Sequence, residues 1–171
     1  MSEQRVDLPY PQAALVVPAA TAEHVALPGG GFQLFADGSH TGGAFSANRL
    51  ILGEGADGAR PHQHRLSAEL FFVLAGVAEF LLDDALVQVA AGGLVVVPPG
   101  LPHAFGAAAG SGADLFVVLA PGVDRFGYFR ALGQIHRGLA TFDALLPEQE
   151  RYDVHFLPDD AWTAARAPEG S

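Results

Sequence analysis

Residues 62–76 read H-Q-H-R-L-S-A-E-L-F-F-V-L-A-G, and residues 92–103 read G-G-L-V-V-V-P-P-G-L-P-H. His62 and His64 are two residues apart, so on an extended strand their rings project from the same face. Glu69 can reach that face from the neighbouring strand, and a third histidine, His103, ends the second stretch. Converging imidazole and carboxylate groups are typical ligands of transition metals. The spacing therefore predicts one metal site that consists of His62, His64, Glu69 and His103.

These two stretches resemble the two sequence motifs of the cupin superfamily. Gly76 closes the first motif, and Pro98 and Gly100 turn the chain into the strand that carries the last histidine. The resemblance implies a jelly-roll β-barrel with the metal inside it. It also implies a homodimer, because cupins commonly form dimers.

Short apolar runs in the middle of the chain are separated by Gly, Pro and Asp, which is the pattern of an all-β sandwich or barrel. They predict strands at Phe32–Phe35, Ala44–Leu52, Leu70–Leu74, Val77–Leu82, Leu86–Val89, Leu94–Val97 and Leu115–Leu119. We therefore expect an all-β fold, a cupin jelly-roll barrel with a short helical C-terminal extension. A chain of 171 residues suits one domain. We divide it into an N-terminal arm (1–30), the barrel (31–122) and the helical extension (123–171).

The C-terminal region has a different pattern. Asp124 is a candidate cap for a helix whose apolar residues recur every three positions from Phe126 to Ile135. A second short helix is predicted from Thr141 to Leu146, stopped by Pro147. These helices are expected to pack outside the barrel or across its mouth.

Charge and composition exclude several classes of partner. The net charge is -10, all nine basic residues are arginine, and there is no cysteine. Such a negative field disfavours nucleic acid and anionic membranes as partners. Met1 to Pro11 resemble neither a signal peptide nor a membrane anchor, and no apolar run approaches the roughly 20 residues that span a bilayer. A cytoplasmic protein is the expectation.

Strand alternation predicts the cavity wall. If Glu69 points inward, so do Phe71 and Val73, and Phe105 follows His103 onto the same face. These three are the candidate substrate-binding residues for a small apolar or aromatic substrate. Asn48 and Arg49 face opposite sides of a strand, so only one of them can line the cavity. The remaining histidines have no partner at metal spacing and are expected on the surface or in loops: His24, His40, His136 and His155.

The C-terminal tail resembles that of single-domain bacterial quercetinases. The segment Phe126–Gly133 is similar to their post-barrel helix, and the tail matches at Pro147, Tyr152, Asp153, Val154, Phe156, Pro158, Asp159 and Trp162. This resemblance implies a metal-dependent dioxygenase that opens a flavonol, or a related enol or phenol, with O2. Glu69 would act as the catalytic base that takes the hydroxyl proton.

Other activities use the same ligands. A cupin cyclase, isomerase or lyase would need no O2, and a non-catalytic cupin would only bind a small ligand. The donor set of three imidazoles and one carboxylate accepts one divalent ion of iron, manganese, nickel, cobalt or zinc. The sequence leaves the ion and the substrate open.

Overall fold

The computed structural model describes residues 13–167, and the expectations about Met1–Pro11 lie outside this range. Ten strands dominate it: β1 (Glu23–Leu27), β2 (Gly30–Ala36), β3 (Ser46–Leu52), β4 (Asp57–Gln63), β5 (Ala68–Leu82), β6 (Ala85–Ala90), β7 (Leu94–Val97), β8 (His103–Ala107), β9 (Ala113–Ala120) and β10 (His155–Phe156). The helices are α1 (Phe126–His136), α2 (Gln149–Tyr152) and α3 (Asp160–Ala165). The expected all-β fold with a short helical C-terminal extension is confirmed.

All strands pair antiparallel in one curled sheet with the order β1-β2-β3-β9-β5-β8-β4-β10. β6 and β7 pair with β5 at its two ends. The inward side chains form the core, in which Phe71, Phe80 and Leu115 are completely buried. β1 lies within residues 1–30, the predicted N-terminal arm, and pairs with β2 along its whole length.

β5 joins the two halves of this curled sheet. Its first half pairs with β7 and β9, and its second half pairs with β6 and β8. The sequence predicted two strands here, Leu70–Leu74 and Val77–Leu82, and that division is wrong. The strand continues through a register shift after Val73 and through Gly76, whose φ is 72°. A Cβ at Gly76 would lie 1.9 Å from the Gly112 carbonyl oxygen, so this position requires glycine.

α1 packs against β1 and β2, where the ring of Phe129 lies 4.6 Å from that of Phe32. The predicted cap is wrong: Asp124 accepts a hydrogen bond from the Ser39 N–H instead. The first N–H groups of α1 donate to the side chain of Asp37, which belongs to the segment after β2. This carboxylate ties the start of α1 to the sheet and offsets unpaired N–H groups.

The second predicted helix is also corrected. Residues Phe142–Glu148 form a 3-10 helix that contains Pro147 and runs directly into α2. Pro147 has no N–H group to donate within the 3-10 helix, but it does not stop the chain from continuing into α2. Within residues 13–167, no helix has both the length and the apolar character needed to cross a membrane.

Candidate metal centre

The four predicted ligands meet in the interior, and each is at most 3% exposed. His62 and His103 face each other across the β4–β8 pairing, His64 follows the end of β4, and Glu69 lies on β5. One possible ligand atom from each residue lies within 4.8 Å of the other three. The structure therefore brings together the whole predicted metal set.

The carboxylate oxygen Oε2 of Glu69 is the centre of the cluster. It lies 2.9 Å from His64 Nε2, 3.0 Å from His103 Nε2 and 4.0 Å from His62 Nε2. A metal–ligand distance of about 2.1 Å allows ligand atoms to lie up to about 4.2 Å apart. Small side-chain adjustments would therefore place all four residues on one ion.

Backbone carbonyls orient the three rings. The Nδ1–H groups of His62 and His103 donate to the carbonyls of residues 60 and 101, at 2.8 and 3.0 Å, and His64 Nδ1–H donates to the Asp153 carbonyl. A neutral imidazole that donates through Nδ1 carries its lone pair on Nε2. Three lone pairs thus point toward the carboxylate oxygen.

Such electron-rich atoms repel each other at these distances unless a proton or a metal cation lies between them. The donor set and its hydrogen-bonded outer partners therefore fit a divalent transition ion. Without cysteine, the donors are nitrogen and oxygen alone, which leaves the choice among iron, manganese, cobalt, nickel and zinc.

The environment keeps His62 and Glu69 in the form that binds metal. Burial, together with the neighbouring His103 and His64, lowers the pKa of His62 well below its usual value. Burial alone would raise the pKa of Glu69. Interactions with His64, His103 and Arg125 outweigh burial and hold that pKa well below its usual range. At neutral pH His62 is therefore neutral and Glu69 is ionised.

Asp153, in the C-terminal tail, holds the loop between His64 and Glu69. Its buried carboxylate accepts hydrogen bonds from the backbone N–H groups of residues 65, 66 and 67 at 2.8 to 3.3 Å, and its carbonyl orients His64. The sequence placed Asp153 in the matched tail without assigning it a role. His155, expected on the surface, is 7% exposed because β10 pairs with β4 and places it beside Asp153.

A narrow cavity opens beside the cluster. Its volume is about 30 Å³, room for roughly two water molecules. Ligand pockets commonly measure about 300–1,000 Å³. In this conformation the cavity therefore accepts at most a very small ligand, and a ring system of flavonol size requires side chains or α1 to move.

The wall of this cavity differs in part from the sequence-based expectation. Phe105 lines it, but Phe71 and Val73 lie in the completely buried core, where the ring of Phe71 packs 4.7 Å from that of Phe105. Phe105 therefore stands between Phe71 and the cavity. Asn48 lines the cavity, whereas Arg49 points away and forms a bidentate ion pair with Asp114.

α1 and the residue before it, Arg125, contribute polar side chains that the sequence did not identify. Arg125 is 4% exposed, lines the cavity and places Nη1 3.3 Å from Glu69 Oε1. Tyr128 also lines the cavity, and burial raises its pKa to about 12, so its hydroxyl keeps its proton at neutral pH. One signal was present in the sequence: a cation at the start of a helix opposes the helix dipole, so its position suggests a special role.

Residues 48–119 match the family model described as Cupin domain (Cupin_2), which agrees with the curled antiparallel sheet of the structure. The matched segment contains all four ligand residues and ends before α1. No curated protein matches the chain.

Solved structures with a similar fold include two cupin-like neighbours. A variant of Streptomyces Pac13 in complex with uridine has a TM-score of 0.53 and 16% identity, over 67% of this chain and 87% of that chain. The cupin domain of Schizosaccharomyces pombe Cnp3 has a TM-score of 0.52 and 15% identity, over 75% of this chain and 84% of that one. In another structure, Pac13 is described as a nucleoside dehydratase. That structure has a TM-score of 0.51 and 16% identity, over 64% of this chain and 83% of that chain. At these identities the likeness concerns the fold alone.

Proposed function

We propose that the protein is a metal-dependent dioxygenase that opens a small enol- or phenol-bearing substrate with O2, a flavonol being the first compound to test. The carrying observation is the buried cluster, in which three Nε2 lone pairs and one carboxylate oxygen converge beside a cavity. The tail resemblance to quercetinases supports the oxygen chemistry, and that narrower subtype stays a prediction.

The ligands His62, His64, Glu69 and His103 would hold the ion. A bound divalent ion acts as a Lewis acid that lowers the pKa of a substrate hydroxyl and supports the reaction of the substrate with O2. Every other contribution comes from the residues around the cavity.

Glu69 can accept the hydroxyl proton because its two oxygens have different surroundings. Oε2 faces the imidazoles, and Oε1 faces Arg125 at the cavity. The low pKa of Glu69 makes it a weak base, so transfer requires a hydroxyl that is already acidified. Phe105 supplies an aromatic surface for the substrate ring.

A lyase, isomerase or cyclase that acts without O2 is the second candidate. The buried ion pair between Arg125 and Glu69 favours it, because a guanidinium next to a base can stabilise an enolate while the proton moves. The description of Pac13 as a nucleoside dehydratase is an example of such chemistry on a similar fold.

Oxygen dependence separates these reactions. The metal-loaded protein would be mixed with a panel of flavonols and simpler enols, with absorbance followed in air and under nitrogen. The dioxygenase proposal expects loss of the substrate band in air only, and a metal-free His103→Ala variant is the control. Conversion that proceeds equally well under nitrogen would replace this proposal with the second candidate. If no substrate of the panel changes in either atmosphere, the protein does not act as an enzyme on flavonols or simple enols.

A further inference from the structure

A buried guanidinium with unused donors lies in the cavity wall. The Nη1 group of Arg125 contacts Glu69, but the buried Nε has no hydrogen-bond partner among residues 13–167. The rings of Tyr128 and Phe129 lie 5.5 and 5.3 Å from Arg125 Cζ and cover the cation without accepting those bonds. Buried polar groups are nearly always paired, so the unpaired donor needs a partner.

The charge in the cavity is unbalanced once a metal is bound. Among the residues that line it in the described part of the chain, Glu69 and Arg125 carry a full charge. A divalent ion and Arg125 then provide three positive charges against one negative charge. Asp37 lies at the backbone N–H groups of Arg125 and Phe126 and does not line the cavity. An excess of buried positive charge is costly unless a ligand brings negative charge.

Asn48 adds a neutral donor on the same wall. It is 6% exposed and lines the cavity, and its amide makes no side-chain hydrogen bond with any residue in the described range. A carboxylate next to Arg125 would accept from both side chains.

We propose that the substrate is a small organic acid whose carboxylate binds Arg125 and Asn48 while its enol or phenol oxygen faces Glu69. The position of the second oxygen rests on the proposed function, but the carboxylate site does not. Arg125 would then favour anionic substrates over neutral rings of the same shape, since a neutral ring leaves the guanidinium unpaired.

The test measures binding and not turnover. Metal-loaded wild-type protein would be titrated by calorimetry at neutral pH with formate, acetate and benzoate, and with formamide, acetamide and benzamide as their neutral counterparts. Three sizes are used because the cavity is narrow. We expect at least one acid to bind about 10-fold more tightly than its amide.

Variants distinguish the contribution of Arg125 from that of the metal ion, because the metal ion also binds carboxylates in preference to amides. Arg125→Gln should lower the acid-to-amide ratio about 10-fold at unchanged metal content, and Arg125→Lys should retain part of it. Arg130→Gln removes the same charge from the exposed side of α1 and should leave the ratio unchanged. Arg125→Lys also serves if the glutamine variant does not fold.

Two results overturn the inference: no acid is preferred over its amide by the wild type, or the ratio stays unchanged in the Arg125 variants that fold. A protein that shows this preference but converts no flavonol would disprove only the dioxygenase proposal. A protein that converts a neutral flavonol with O2 but binds acids and amides equally would disprove only the carboxylate site.

Discussion

Removing the Asp153 carboxylate should destabilise the protein and loosen the metal centre at the same time. Its bond from the buried Ser67 N–H is charge-assisted and contributes about 1.5–3 kcal/mol. The bonds from residues 65 and 66 are partly buried, so water replaces them at a cost of about 0.5–1 kcal/mol each. Asp153 also has a left-handed backbone with φ 49°, which costs alanine about 1 kcal/mol. Asp153→Ala should therefore lower the free energy of unfolding by about 4 kcal/mol.

Urea unfolding of the metal-free protein measures this loss. Asp153→Asn keeps an acceptor oxygen and tolerates the left-handed conformation, so it should cost only about 1–2 kcal/mol. Asp159→Ala is the control in the same tail, since its exposed ion pair with Arg60 contributes less than about 1 kcal/mol.

Metal affinity supplies a second measurement on the same variants. The loop between His64 and Glu69 loses its anchor in Asp153→Ala, so competition with a chelator should show affinity about 10- to 100-fold weaker. The reasoning is refuted if Asp153→Ala unfolds within about 1 kcal/mol of the wild type and binds metal equally well.

Three further predictions concern acid, the base and association. Below about pH 6.5 His62 binds a proton in the unfolded chain but resists protonation in the folded protein. Acid should therefore destabilise the metal-free protein and release metal from the loaded one. Stability and metal content that do not change down to about pH 4.5 would contradict this. Glu69→Gln should lower kcat about 100-fold or more with little change in flavonol binding, metal content being measured alongside, and an equal fall in binding would contradict a base. The expected homodimer should appear by light scattering, and Phe72→Glu, on the exposed apolar face of β5, should favour the monomer; a single-chain mass for the wild type at all concentrations contradicts it.

The ligand set could be predicted because its signal is local. His62 and His64 follow the period of a strand, and Glu69 lies five residues after His64. The turn before His103 contains proline and glycine, which are typical turn residues. The interior position of Phe105 follows from the same alternation.

The residues that sequence reasoning missed act over long separations. Arg125 contacts Glu69 across 56 residues, and Asp153 contacts the loop after His64 across 86 to 88 residues. No periodicity connects such positions. The single strand β5 was divided in two for a different reason, because Gly76 resembles a chain breaker until its pairing with β9 is known.

Metal content of the purified protein tests the central claim most directly. The protein would be prepared without added metal and examined by elemental mass spectrometry, together with His62→Ala, His103→Ala and the exposed control His136→Ala. We expect about one divalent transition ion per chain in the wild type and the control, and nearly complete loss in the other two, because each removes one of four converging donors. Stoichiometric metal in both His62→Ala and His103→Ala would contradict the proposed centre.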